Sequence, residues 1–297
     1  MNEKIQQSVR QLQQLTGLPL QIREDDVTDP EDTLQKLQAL CRNMRTAAHK
    51  GYVIKRWLTG DLPDDEFFLF SEKLHLDFSG KRAVYLIRFR KEIYPEITMV
   101  LRSMFPDERT WILAFDRSQI LVVCHFPEHS RPDTKNIAYR ILDILNTELM
   151  EQVTISFCGP SGQREQLPAL CRQCVLSMNV GGIFYPDRTI YDYTELGIGR
   201  VLYDSSEEAR EDYIRNHIGD RFLTEDSPAF GTDIQNTASC FLANDMNIAE
   251  TARQLHIHRN TLLYRLEQIQ NETGLDIRRF EQAMTYRICS LILLYLK

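Results

Sequence analysis

Four places in the chain hold side chains whose type and spacing could do chemistry. His256 and His258 form a His-x-His pair able to hold a metal, but no third ligand stands near them, so a turn residue and a helix cap within reach of a phosphate is the favoured reading. Cys171 and Cys174 form a Cys-x-x-Cys pair. With no second such pair, and with the helical run LPALCRQCVLSM around them, they read as thiols on a helix face or in a core. Asp116 lies between the strand-like runs WILAF and QILVVCHF, yet lacks an acidic neighbour with which to hold a metal ion. No metal site, catalytic group or cofactor is expected at these three places.

The fourth place is RNTLLYRLEQIQ, from Arg259. Wound as a helix, it gathers Leu262, Leu266 and Ile269 on one side and turns Asn260, Thr261, Tyr264 and Gln268 to the other. That outward side is polar and free of large aliphatics. Asn and Gln can bond adenine through two hydrogen bonds, and a Thr methyl can meet the thymine methyl. Arg259 and Arg265 flank it, where phosphates rather than bases are within reach, and His258 stands at its start.

A reading helix needs a second helix to hold it. The stretch from Asn247 supplies one, with Asn247 as its cap, Glu250 reaching back in a capping box, and Ile248, Ala252 and Leu255 facing inward. Ala252 is small enough for two helices to cross closely, and Ile257 plugs the turn. Together these residues describe a helix-turn-helix. Periodicity alone leaves an ordinary helix pair with a solvated polar face equally open.

Further helices are expected over 232–243 and 278–295 around this motif. Upstream, from about 67 to 193, the periods alternate: RAVYLIRF, a helix over IYPEITMVLRSMF, the hairpin around Asp116, a helix over TKNIAYRILDILNTELM, the strand VTISFCG, a helix around Cys171, and a short strand GIFYP. This predicts an α+β sandwich of helices on a mostly antiparallel sheet. Before it lie a Gln-rich helix over 2–15, a possible strand LPLQI, an acidic turn REDDVTDPED, and a helix over 32–58. That helix carries a stripe of Leu34, Leu37, Leu40, Cys41, Met44, Ala47 and Ala48. The stripe fits core packing and helix pairing between subunits equally well. The expected division is a mainly helical segment 1–66, an α+β domain 67–195, a linker 196–231 and an all-α domain 232–297.

The exact residues go further than the periods. NIAETARQLHIHRNTLLYRLEQIQNETGLDI strongly resembles the C-terminal DNA-binding domain of the PucR/CdaR family of bacterial regulators, whose motif runs tA-x-x-L-x-I-H-R-N-T-L-x-Y-R-L. It is also similar, more loosely, to helix-turn-helices of the factor-for-inversion-stimulation type. The element order over 72–195 is similar to the degenerate GGDEF-like domain that precedes this motif in CdaR-type proteins. Active diguanylate cyclases carry Gly-Gly-Asp/Glu-Glu-Phe on the central hairpin, whereas the turn here reads AFDRSQIL and keeps only Asp116. The resemblance therefore implies a scaffold for dimerisation or ligand sensing, not an enzyme. HKGYVIKRWLTGDL resembles the helix leading out of the family's sensor domain, so residues 1–66 read as a reduced sensor or a dimerisation arm.

Bulk properties limit the partners. A formal charge of −7 excludes a protein that coats nucleic acid by net charge alone. From Asn247 onward, however, seven Lys and Arg stand against five acids. DNA binding must then be local, which predicts a homo-oligomer on double-stranded DNA, with a small-molecule effector possible. The longest apolar run, 288–296, is far short of a membrane span, and MNEKIQQSVRQLQQL lacks the apolar segment of a secretion signal. Seven cysteines without framework spacing read as reduced thiols. A cytoplasmic protein without membrane partners is expected.

Overall fold

The computed structural model describes residues 3–16, 29–224 and 227–296; the side chains of 3, 11–16, 41–48 and 228 are outside the description. LPLQI, most of the acidic turn and the later half of the 34–48 stripe thus lie outside the described residues. The chain divides into two compact units, 1–179 with 187–195, and 180–186 with 196–297. The architecture is α+β, as the sequence implies.

In the first unit, α1 (Glu3–Thr16) packs on α2 (Pro30–Thr59), burying Ile5 and Leu37 while leaving Leu40 exposed. Asp29 starts α2 by accepting the N–H groups of Glu31 and Asp32, with Pro30 in the first turn. The short α3 (Asp64–Lys73) follows, an element the sequence reading did not contain. Its Phe67 stacks on Trp57 of α2 at 3.9 Å, and Phe78 meets both rings edge-on.

The sheet comprises β1 (Lys81–Phe89), β2 (Trp111–Ala114), β3 (Gln119–Phe126), β4 (Val153–Ser161) and β5 (Ile190–Asp192), in the order β2-β3-β1-β4-β5. Every pairing is antiparallel except β4 with β5. With α4 (Pro95–Met104) after β1 and α5 (Thr134–Glu148) after β3, the order is the βαββαβ unit of ferredoxin-like sheets. Strand alternation sends Ala83, Tyr85, Ile87 and Phe89 to one face, where Ile97 and Leu101 of α4 and Ala138, Ile141 and Leu145 of α5 close a core. The opposite face carries Val84 and Ser156 and meets α6 (Leu167–Phe184). There the Cys174 thiol donates to the Val84 carbonyl and the Ser156 hydroxyl to the Cys174 carbonyl. Both faces being covered explains why β1 reads as an almost continuous apolar run.

The structure corrects two expectations here. GIFYP is not a strand: residues 182–184 finish α6, where Phe184 is buried, and the last strand is β5. Nor is 196–231 a linker. It forms α7 (Ile198–Asp204), α8 (Glu207–His217) and α9 (Arg221–Thr224), all within the second unit. Ile214 and Phe222 are buried there, and Arg210 donates to the Leu202 and Ser205 carbonyls at the end of α7 while its guanidinium lies 4.0 Å from the Tyr295 ring. The unit continues with α10 (Thr232–Ala243), α11 (Ile248–Gln254), α12 (Arg259–Thr273) and α13 (Phe280–Leu296). Tyr286 of α13 anchors it, stacking on Phe230 and donating to the Ala229 carbonyl at 2.7 Å. Among the described residues, no helix is long and apolar enough to cross a membrane.

Candidate nucleic-acid interface

Helix α11 opens on Asn247, whose Oδ1 accepts the N–H groups of Ala249 (3.0 Å) and Glu250 (3.2 Å). The reciprocal half of the expected capping box does not form. Asp245 and Met246 take left-handed backbone (φ 51° and 61°), and the Asn247 N–H donates to the Asn244 carbonyl at the end of α10. With that donor occupied, the Glu250 carboxylate pairs with Arg253 instead.

The turn follows from hydrogen-bond accounting at the end of α11. The Ile257 N–H donates to the Ala252 carbonyl and the His256 N–H to the Arg253 carbonyl, while His256 sits at φ 53°. These are the paired bonds and left-handed residue of a Schellman motif, which satisfy carbonyls the helix leaves open. Backbone then returns to the extended region at His258, whose Nδ1 accepts the Asn260 N–H at 3.2 Å and caps α12. The two histidines therefore divide the work: His256 makes the turn and His258 caps the second helix. An acceptor at Nδ1 puts the proton of a neutral imidazole on Nε2, leaving that N–H as a donor on the exposed side.

Leu262, Leu266 and Ile269 are at most 1% exposed and Ala252 is 7% exposed, whereas Ile248, Leu255 and Ile257 are half-buried at the edge of the packing. The floor beneath them is α10, through Ile234, Thr237, Ala238 and Phe241. On the far side of α12, Asn260 and Thr261 are exposed, Tyr264 is 67% exposed and Gln268 is half-buried. None of these four makes a side-chain hydrogen bond among the described residues, so the face is unpartnered as well as outward.

The cations are less available than the sequence suggests. Arg259 is exposed, but Arg265 is turned inward and its Nη1 donates to the Thr237 hydroxyl of α10 at 2.8 Å. Arg278 is held by Asp276 and Gln270. Arg279, which the sequence reading did not single out, is exposed and makes no ion pair among the described residues. The doublet Arg278-Arg279 soon after the Gly274 cap was the available signal for it.

Residues 235–292 match the family described as the PucR C-terminal helix-turn-helix domain. The second unit thus contains a PucR-type helix-turn-helix domain. Among curated relatives, the proline-responsive transcriptional activator PutR of Bacillus subtilis is 33% identical over 91 residues, 30% of this chain and 22% of PutR. The carbohydrate diacid regulator of Escherichia coli is 31% identical over 116 residues, 38% of this chain and 28% of that protein. YsfB of Bacillus subtilis is 23% identical over 220 residues, 72% of this chain and 56% of YsfB. The chain thus matches little more than half the length of these relatives at most. Ala252, Leu255, Ile257, His258, Asn260, Thr261, Leu262, Tyr264 and Leu266 all lie within the matched span.

Proposed function

We propose that this chain is a sequence-specific DNA-binding transcription regulator whose PucR-type domain lays α12 in the major groove. The observation that carries the reading is the asymmetry of that helix. Its aliphatic side is wholly buried, while Asn260, Thr261, Tyr264 and Gln268 face outward without partners. Asn260 and Gln268 offer paired bonds to adenine edges, Thr261 offers a methyl to thymine, and Arg259 with the His258 Nε2–H meets phosphates. Arg265 acts from behind, tying α12 to α10. The names of PutR and the carbohydrate diacid regulator support regulation and not catalysis.

The protein works as a dimer or higher oligomer, with two recognition helices about one turn of DNA, ~34 Å, apart. The first unit is a scaffold, in keeping with the likeness of its element order to a degenerate GGDEF-like domain. Its hairpin supports this role, because Asp116 is occupied locally: Oδ1 accepts the Ser118 N–H and Oδ2 the Gln119 side-chain amide. A nucleotide-processing role for that hairpin gains no support from a carboxylate so engaged. A small metabolite modulates binding, as the name of the proline-responsive relative suggests, and a cytoplasmic protein has the DNA within reach.

Fluorescence anisotropy with the DNA upstream of its own gene tests the reading. Specific binding should be lost in Asn260→Ala/Tyr264→Ala while the fold is kept. Undiminished binding by that double variant would refute the reading face.

A further inference from the structure

We propose that a cavity of about 250 Å³ in the first unit, between the end of α4, the end of β3 and α5, binds a small organic monoanion with an apolar body. The proposal stands apart from the DNA-binding reading, since every residue it uses belongs to the first unit.

The lining is mostly apolar. Met104 and Phe105 end α4, Phe126 ends β3 and Ile137 lies on α5, and each is only partly covered by the main core. Four large side chains left half-covered around one hollow describe a space that the fold's own packing does not fill. The volume lies just below the usual range of ligand pockets, about 300–1,000 Å³, and so suits a small ligand.

Charge selects the sign of the ligand. Arg140, on α5 at the rim, is exposed and makes no ion pair among the described residues. Asp107 also lines the cavity, but its carboxylate accepts from the Arg109 N–H, Nε and Nη2 and from His125 Nδ1, which neutralises it and occupies its lone pairs. Those bonds, led by Arg109, hold it well below the usual carboxylate range. Arg102 donates to the carbonyl of Thr110, another lining residue, and stands in the last turn of α4, where it offsets the negative helix end. With the Asp107 carboxylate paired to Arg109, the Arg140 guanidinium is the lining charge left without an ion pair among the described residues. A cation would be repelled, and a neutral ligand would gain nothing from Arg140. An anionic head at Arg140 with its hydrocarbon part against Met104 and Ile137 uses both halves of the site.

The test is a titration of the full chain carrying ¹³C-methyl methionine, followed by NMR, with benzoate as the probe and benzyl alcohol and acetate as its neutral and body-less counterparts. Benzoate should move the Met104 methyl saturably and leave Met99 and Met150, exposed elsewhere, unmoved. Benzyl alcohol should bind about tenfold more weakly and acetate not detectably. Arg140→Gln, a change at an exposed position, should lower benzoate affinity to the level of benzyl alcohol, and Ile137→Trp should remove the response by filling the space. No Met104 response to benzoate at about 20 mM, equal binding of benzyl alcohol, or full affinity in Arg140→Gln would each overturn the proposal.

Discussion

Truncating Leu266 to Ala should destabilise the second unit by about 2–5 kcal/mol, while truncating Tyr264, two positions earlier on the same helix, should change stability by no more than about 0.5 kcal/mol. Leu266 is 1% exposed, so losing three carbons forfeits about 2.4 kcal/mol of transfer free energy before the cavity left behind adds its share. Tyr264 is 67% exposed and makes no side-chain hydrogen bond among the described residues, so there is little for its removal to cost. The two tryptophans, Trp57 and Trp111, both lie in the first unit, which makes their fluorescence a reporter for that unit alone. Urea unfolding of the full chain followed by far-UV circular dichroism and by tryptophan fluorescence therefore separates the effects. Leu266→Ala should lower the midpoint of the part of the dichroism change that tryptophan fluorescence does not follow, and Tyr264→Ala should leave both signals in place. DNA binding should report the reverse, with Tyr264→Ala impaired and Leu266→Ala retained under conditions where it is folded. If the two variants were equally destabilised, or Leu266→Ala were neutral, α12 would not present the face assigned to it.

Three other outcomes follow from the same geometry. Relieving the left-handed His256 with Gly should stabilise the second unit by about 0.5–1 kcal/mol, the strain of a side chain there less the added chain entropy of glycine, and a lower melting point would show that the imidazole itself contributes. Arg259→Gln should weaken all DNA sequences alike and reduce the slope of log affinity against log salt by about 0.9, which a salt titration measures directly. Asp107, whose folded pKa is depressed by Arg109 and His125, stabilises the first unit above its unfolded value near 4 and loses that contribution as pH falls below it. Asp107→Asn should accordingly flatten the acid limb of tryptophan-monitored stability below about pH 4, and an unchanged limb would remove Asp107 as its source.

What was legible followed from how local its causes are. Both helices of the motif start at the residues expected, because Asn247 and His258 cap them from adjacent positions, and the strands β1 to β4 announce themselves through branched and aromatic runs. The misreadings arise where distant packing decides. Ile183, Phe184 and Tyr185 favour a strand by type, but Phe184 is buried against Tyr295 more than a hundred residues away, and the helix carries through. Residues 205–231 are mixed and charged in a way that reads as a linker, since nothing in the sequence shows that Arg210 will be buried on carbonyls of α7. Arg265 lies only about 60° from Leu262 around α12, so its direction depends on whether a hydroxyl waits beneath it, and Thr237 belongs to another helix.

The inward turn of Arg265 strengthens the case for pairing of copies. Between Asn247 and Leu296, Arg253 is held by Glu250, Arg278 by Asp276, Arg265 by Thr237 and Arg287 by Ser239. Only Arg259 and Arg279 carry guanidiniums free of such bonds among the described residues. Two phosphate contacts give a salt slope near −1.8, and two copies on one site, about four contacts, give about −3.6, short of the roughly six to ten contacts by which many DNA-binding proteins hold on. A single PucR-type domain of this kind would bind weakly and release readily. Under the proposed pairing of copies, specific affinity comes from base contacts made twice, so that whatever alters the spacing of two recognition helices alters occupancy far more than any change within one. Under that proposal, control of this domain belongs to the elements that set how two copies stand on DNA.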